Sequence, residues 1–295
     1  MNNIAEMLGC RYPVIQGAMG VICNPEMVAA VSEAGGYGLL ATAFQKDPAK
    51  LREQVEAVKK LTDKPFGANL MAVNPLSLEF AGVLADAGIR AVTTSAGSPA
   101  KILPYLKERG MKVLHVVAST DNAVKAEAAG VDAVIAEGSE SGGMQGFNGA
   151  STMVLVPMVV DAVNIPVVAA GGIGDSRTYR AAFELGAKGV QVGTRFIASR
   201  ECVAHANYKD ALVSSSETNT RLINMEWAQA RVVNTPFVDG LQGGLSKAEF
   251  ASAEADMEAA WVDGDLDASF IPAGQITGMI KGVKSVREII EEMAG

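Results

Sequence analysis

The chain reads as an α/β protein: a (β/α)8 barrel with a small α+β lid inserted after its eighth strand. Three observations predict this. Short apolar, β-branched runs alternate with amphipathic helical patterns, there are eight such runs before residue 200, and several of the helical patterns stop at glycine. Alternation of continuous apolar strands with helices implies a parallel sheet covered on both faces. Eight units favour closure into a barrel over an open, doubly wound sheet. No strand is followed by G-x-G-x-x-G with an acidic residue about twenty positions on, so a Rossmann sheet is the weaker reading.

Strands are expected at 13–16, 37–41, 66–70, 91–94, 112–117, 133–136, 166–170 and 189–193. Helices are expected at 25–34, 48–60, 76–87, 100–109, 120–129 and 176–185. Gly35, Gly88, Gly110, Gly130 and Gly186 follow five of these helices, where a residue free to turn left-handed ends a helix. Segment 153–173 is the most apolar, yet it contains Asp161, Asn164 and two prolines. It reads as helix, turn and buried strand, since a span needs about twenty nearly uninterrupted apolar residues. After Phe196 the rhythm breaks. Residues 199–273 hold a helix-like stretch, strand-like pieces at 220–225 and 230–234, a glycine-rich turn at 240–244 and an acidic helix around 249–261. Segment 274–293 is again helical. The expected organisation is a barrel of residues 1–198 plus 274–295 and a lid of 199–273, which would exclude water from a cleft.

Composition bounds the function. The 295 residues are 49% hydrophobic and 20% charged, enough for one large core and a small appendage. A net charge of −8 disfavours general attraction to nucleic acid or an anionic membrane. Cys10, Cys23 and Cys202 are scattered, which fits a reducing compartment and argues against a disulfide framework or zinc site. Residues 1–9 lack a basic stretch followed by an apolar run, so a cytoplasmic protein is expected.

The chemistry is signalled by Ala169-Ala170-Gly171-Gly172-Ile173-Gly174 and by Val192-Gly193-Thr194-Arg195, each ending an apolar run where a helix should begin. Backbone without Cβ atoms brings N–H groups close to an anion, and a helix N-terminus adds partial positive charge. Two such loops late in a barrel suggest a phosphate grip. Polar or tight-turn residues close most other strands too: Gln16-Gly17-Ala18-Met19, Asn69, Ser95-Ala96-Gly97, Ala118-Ser119, and Glu137 with Ser141-Gly142-Gly143. Any one glycine is as well explained as turn punctuation. Together they would ring one face of the barrel, where a broad site suits a flat cofactor.

The segments 13–19 (PVIQGAM), 62–69 (TDKPFGAN), 136–138 (AEG), 141–143 (SGG), 169–173 (AAGGI) and 190–196 (VQVGTRF) resemble the FMN-dependent nitronate monooxygenase superfamily. Within it the chain is most similar to the flavin-containing enoyl-acyl-carrier-protein reductase II branch, a likeness that continues through 204–209 (AHANYK) and 273–278 (AGQITG). The resemblance implies FMN, its phosphate on Gly171, Gly172, Gly193 and Thr194. The ring system would lie against Gly17, Ala18 and Met19, with Asn69, Ser95, Glu137, Ser141, Gly142 and Gly143 around it. NADH or NADPH would be the reductant, and a small molecule or acyl thioester the substrate. An anionic carrier or coenzyme and a second copy of the chain, as a homodimer, are the partners left open.

One departure matters. Relatives usually carry His where this chain has Met144, and in the nitronate oxidisers that His removes a proton. Methionine can neither take nor give one, which weighs against nitronate oxidation more than against alkene reduction. The expected activity is therefore hydride transfer from NAD(P)H through flavin to an activated double bond, preferably an enoyl thioester. Nitronate monooxygenase or quinone reductase activity, a flavin-binding protein without turnover, and a flavin-free barrel enzyme are the alternatives. Of the remaining candidates, His115 reads as a satisfied core residue and His205 as a lid-helix cap or packing residue. Glu140 reads as solvated, and Arg195 equally as a phosphate partner or an ion-pair residue. No metal ligands are assigned.

Overall fold

Eight parallel strands, β1 (Val14–Gln16), β2 (Gly38–Ala41), β3 (Phe66–Met71), β4 (Ala91–Ser95), β5 (Lys112–Val117), β6 (Ala133–Glu137), β8 (Val167–Ala170) and β9 (Gly189–Val192), form one sheet in order β1-β9-β8-β6-β5-β4-β3-β2. A parallel bridge between Ile15 and Tyr37 joins its two edges, so the sheet closes into a barrel. This is a computed structural model, and it describes residues 3–147, 149–241 and 244–295. Every expected strand is present to within about a residue.

Successive strand residues face opposite sides, which divides the core in two. Ile15, Leu39, Leu114, Ile135 and Val168 pack inside the barrel, together with Ile4 and Leu8 of the short helix Ile4–Leu8. That helix had no counterpart among the expected elements. It lies against the amino ends of the strands, where a Cβ on Gly189 would come 3.1 Å from Ile4. Val14, Leu40, Val113, Val134 and Ala169 point outward into the layer beneath the surrounding helices.

Helices Pro25–Glu33, Pro48–Leu61, Ser77–Asp86, Thr120–Ala129, Thr152–Ala162 and Ser176–Glu184 follow their strands; four of them stop at Gly35, Gly88, Gly130 and Gly186 as expected, whereas Pro48–Leu61 and Thr152–Ala162 end at Thr62 and Val163. The helix expected at 100–109 is split into a 3-10 turn, Pro99–Lys101, and a helix, Leu103–Glu108, with Pro104 at the junction. The closing segment is likewise interrupted. A 3-10 turn, Gln275–Met279, precedes the helix Val286–Ala294, whose N-cap Ser285 forms a reciprocal capping box with Glu288.

Beyond β9, strands β10 (Thr220–Asn224) and β11 (Gln229–Val233) form a hairpin. Its third strand is β7 (Gly143–Gln145), from the loop after β6, with Met144 opposite Ala230 and Gly143 opposite Arg231. The acidic helix runs Lys247–Ala255 and passes into a π-turn at Ala259–Asp263. Among the described residues, no helix is long and apolar enough to cross a membrane.

Candidate active site

A cleft of about 1080 Å³, its open mouth included, lies at the carboxyl ends of the strands. In a barrel this is the face where sites are built. The loop after β1 contributes Gly17, Ala18 and Met19, and β6 with its loop contributes Glu137, Ser141, Gly142, Gly143 and Met144. Gly171 and Gly172 follow β8, and Gly193 and Thr194 follow β9. The structure thus brings twelve of the expected site residues to one cleft.

Asn69 and Ser95 stand apart from it. Asn69 donates to Ser95 Oγ at 3.0 Å and accepts from Thr93 Oγ1 at 2.9 Å, so its amide is engaged inside the barrel rim. Neither residue is among those lining the cleft.

The two glycine loops have the backbone that an anion requires. Gly171 and Gly172 sit at φ +91° and +72°, and a Cβ on Gly171 would lie 2.8 Å from the Gly138 carbonyl oxygen. Only glycine meets both conditions without strain. Amides of Gly172, Ile173, Gly193 and Thr194 donate to no protein acceptor among the described residues. Thr194 opens the single-turn helix Thr194–Ile197. Its hydroxyl accepts from the Gly274 amide at 2.9 Å, tying the segment after the lid to the rim. Behind the first loop, buried Cys23 accepts the Met19 amide at 2.8 Å on Sγ. Burial pushes this thiol up to about 12, so it is a structural prop and not a nucleophile.

Arg195 and Glu140 differ from expectation. Arg195 touches neither an anion site nor a carboxylate. Buried at the rim, it donates through Nη1 and Nη2 to the Gly282 carbonyl at 3.3 Å, and so holds the C-terminal segment. Glu140 is not a free solvated side chain. Its carboxylate accepts from the Thr152 amide at 2.8 Å and from Thr152 Oγ1 at 3.0 Å, capping the helix Thr152–Ala162. The histidines follow their structural readings. His115 Nδ1 is 2.8 Å from Thr94 Oγ1, and burial lowers its pKa to about 4. His205 Nδ1 accepts from the Asn207 amide as an N-cap.

Glu137 is different. Burial raises its carboxyl pKa to about 7, with Ser141 pulling weakly the other way. Among the described residues that line the cleft, only Glu137, Glu140 and Tyr208 carry ionisable side chains. Glu140 is committed to Thr152, and the Tyr208 hydroxyl donates to the Pro272 carbonyl. Glu137 is the remaining candidate to hold a proton.

The lid side of the cleft was not anticipated residue by residue. Phe44, Tyr208, Phe250, Trp261 and Phe270 converge there, although aromatic residues are only 5% of the chain. That concentration in an aromatic-poor sequence was the available signal. Arg231 was also missed. Buried in β11, it donates through Nε to the Ser139 carbonyl at 2.9 Å, fastening the 139–145 segment to the lid sheet.

The family model for nitronate monooxygenase matches residues 2–295. The chain belongs to the nitronate monooxygenase family. It is 34% identical to a probable nitronate monooxygenase of Staphylococcus saprophyticus, covering 80% of this chain and 79% of that protein. It is 35% identical to the (3aS,4S,5R,7aS)-5-hydroxy-7a-methyl-1-oxo-octahydro-1H-indene-4-carboxyl-CoA dehydrogenase of Rhodococcus jostii, covering 81% and 67%. Among solved structures it is similar to FabK from Thermotoga maritima, with 40% identity, a TM-score of 0.91 and coverage of 98% and 94%. The protein is accordingly an oxidoreductase of the nitronate monooxygenase and FabK superfamily. Members of this family are flavin-dependent. The residues here fit such a group: free amides above two glycine turns, a wall of small residues at Gly17 and Ala18, and an apolar roof.

Proposed function

We propose that the protein is an FMN-dependent reductase, using NADH or NADPH and delivering reducing equivalents to an activated double bond in an enoyl thioester. The observation that carries this reading is the pairing of an amide-rich glycine cradle with an aromatic, apolar lid wall across one cleft. The cradle suits a phosphate, and the wall suits a hydrocarbon chain. The likeness to FabK and to a carboxyl-CoA dehydrogenase supports an acyl thioester.

FMN, when bound, would supply hydride acceptance and donation. The chain's own residues do the rest. Amides of Gly172, Ile173, Gly193 and Thr194 would hold the phosphate, and Gly17, Ala18 and Met19 would back the ring system. The aromatic lid would exclude water from the reacting bond. Met144 offers no base beside it, which argues against proton abstraction from a nitroalkane. Glu137, largely neutral below about pH 7, is the group that could hold a proton at the floor of the cleft.

Stopped-flow reoxidation of the reduced, flavin-loaded enzyme tests the proposal. Crotonyl thioester should reoxidise it much faster than a quinone, and a nitronate, which is an electron donor, should reduce the oxidised flavin slowly or not at all. Rapid flavin reduction by nitronate with no reoxidation by the thioester would defeat the reading. Yellow protein that consumes no nicotinamide with any acceptor would leave a flavin binder without turnover, and colourless protein that takes up no FMN would leave a flavin-free barrel enzyme.

A further inference from the structure

Phe44 lies where two depressions meet. It lines the cleft just described and also a second groove, whose apolar part is made by Ala43, Met71, Val73, Pro75 and Leu76. That groove runs between the loop after β3 and Glu254 at the end of the lid helix Lys247–Ala255. Six of its ten lining residues are apolar, with Gln45, Lys46, Asn74 and Glu254 supplying the polar part, and Val73 is 66% exposed.

The Phe44 ring is held from the cleft side. It meets Trp261 edge to face, with centroids 6.4 Å apart and planes at 82°. Trp261 is itself fixed by donating from Nε1 to the Phe270 carbonyl at 2.8 Å. Gly20 backs both rings at φ +58°, where an added Cβ would lie 2.8 Å from Phe44 and 3.0 Å from Trp261. The β1 loop, the β2 loop and the lid therefore converge on one aromatic partition.

We infer that Phe44 is a specificity-determining residue that stops the distal end of a bound acyl chain, and that the groove lined by Met71, Val73 and Leu76 is an extension of the acyl site that Phe44 closes off. An unbranched hydrocarbon chain is the occupant because the groove continues the apolar lid wall through Phe44 itself and is walled mainly by apolar side chains. This inference rests on the acyl-thioester reading above.

The test uses the flavin-loaded enzyme and saturated thioesters, which bind without turning over. Butyryl-, octanoyl-, lauroyl- and palmitoyl-CoA are titrated against wild type and Phe44→Ala, following the flavin spectrum. Each methylene newly buried is worth about fourfold in affinity. Wild-type affinity should stop rising with chain length, whereas in Phe44→Ala it should go on rising, so that the ratio of palmitoyl to butyryl affinity grows by about tenfold or more. Adding Val73→Asp to that variant should reverse the gain. If Phe44→Ala fails to fold or retain flavin, Phe44→Leu reads the same ratio with most of the packing on Gly20 and Trp261 kept. Parallel chain-length profiles in wild type and variant would overturn the inference alone. Failure of either protein to bind any acyl thioester would overturn the acceptor reading beneath it.

Discussion

The Thr194 hydroxyl accepts the Gly274 amide at 2.9 Å, and this one bond links the last barrel loop to the segment that returns from the lid. The approach is close on both sides, since a Cβ on Gly274 would lie 2.6 Å from the Glu140 carbonyl and one on Gly142 equally near the Gly274 nitrogen. Thr194→Val keeps the shape and orphans a buried N–H, which costs about 1–3 kcal/mol. In a protein of this size each kcal/mol lowers Tm by roughly 2–4 °C. Calorimetry should show that loss for Thr194→Val and little of it for Thr194→Ser.

The glycine turns make a sharper prediction. Gly171→Ala places a methyl at φ +91° and 2.8 Å from a carbonyl oxygen, a conformation that costs about 1–2 kcal/mol before the contact is counted. Gly193 has φ −108°, and its nearest neighbour to an added Cβ is Met19 Sδ at 3.7 Å. In flavin-free protein, Gly171→Ala should lower Tm by several degrees and Gly193→Ala by much less. Equal losses would mean that the turn at 171 is not fixed as described.

Arg195 provides a separate check on the anion site. With its guanidinium turned to the Gly282 carbonyl, Arg195→Met should destabilise the fold by on the order of 1–3 kcal/mol. FMN affinity, measured by fluorescence quenching, should move by less than about threefold. A loss of about ten- to a hundredfold or more, the 1.5–3 kcal/mol range of a charge-assisted bond, would return Arg195 to the phosphate.

What the sequence disclosed follows physical locality. The eight strands were legible because apolar runs and glycine stops are properties of neighbouring residues. Twelve of the expected site residues meet at one rim because a parallel barrel carries every strand end to the same face. Contacts between distant segments were not legible. Nothing near Arg195 in sequence announces Gly282, and nothing near Glu140 distinguishes a solvated carboxylate from one that caps Thr152. The third strand of the lid sheet was hidden because Gly142-Gly143 reads as a turn, and only pairing with Arg231 and Ala230 makes it a strand.

Glu137 predicts a pH dependence. Its folded pKa of about 7 exceeds the ordinary 4.5, so the folded protein binds the proton more tightly than the unfolded chain does. Stability therefore falls as pH rises from about 4.5 to 7 and levels off above, by at most about 3 kcal/mol. Burial of His115 acts in the opposite sense, removing stability as pH falls from 6.5 toward 4. The two largely offset each other between about pH 4.5 and 6.5, so Glu137→Gln should leave the His115 limb unopposed and make the stability of flavin-free protein rise more steeply with pH across that window than in wild type. An unchanged profile would place the Glu137 carboxylate in contact with water.

Met144 sits on β7 opposite Ala230, 38% exposed and lining the cleft. Oxidising a neutral nitroalkane requires a base to take its α-proton, and a positioned imidazole contributes about 10²–10⁴ in rate. A strand accepts histidine without strain, and the cleft mouth leaves room for the ring. Met144→His should therefore give measurable oxidation of a nitroalkane where wild type has little, rising with pH as the imidazole loses its proton near its ordinary pKa of about 6.5. Oxygen uptake with nitroalkane as the only electron donor reads this directly. If the variant binds flavin yet stays inactive across that pH range, the missing base is not what separates this enzyme from nitronate oxidation, and the shape of the aromatic lid wall must do so.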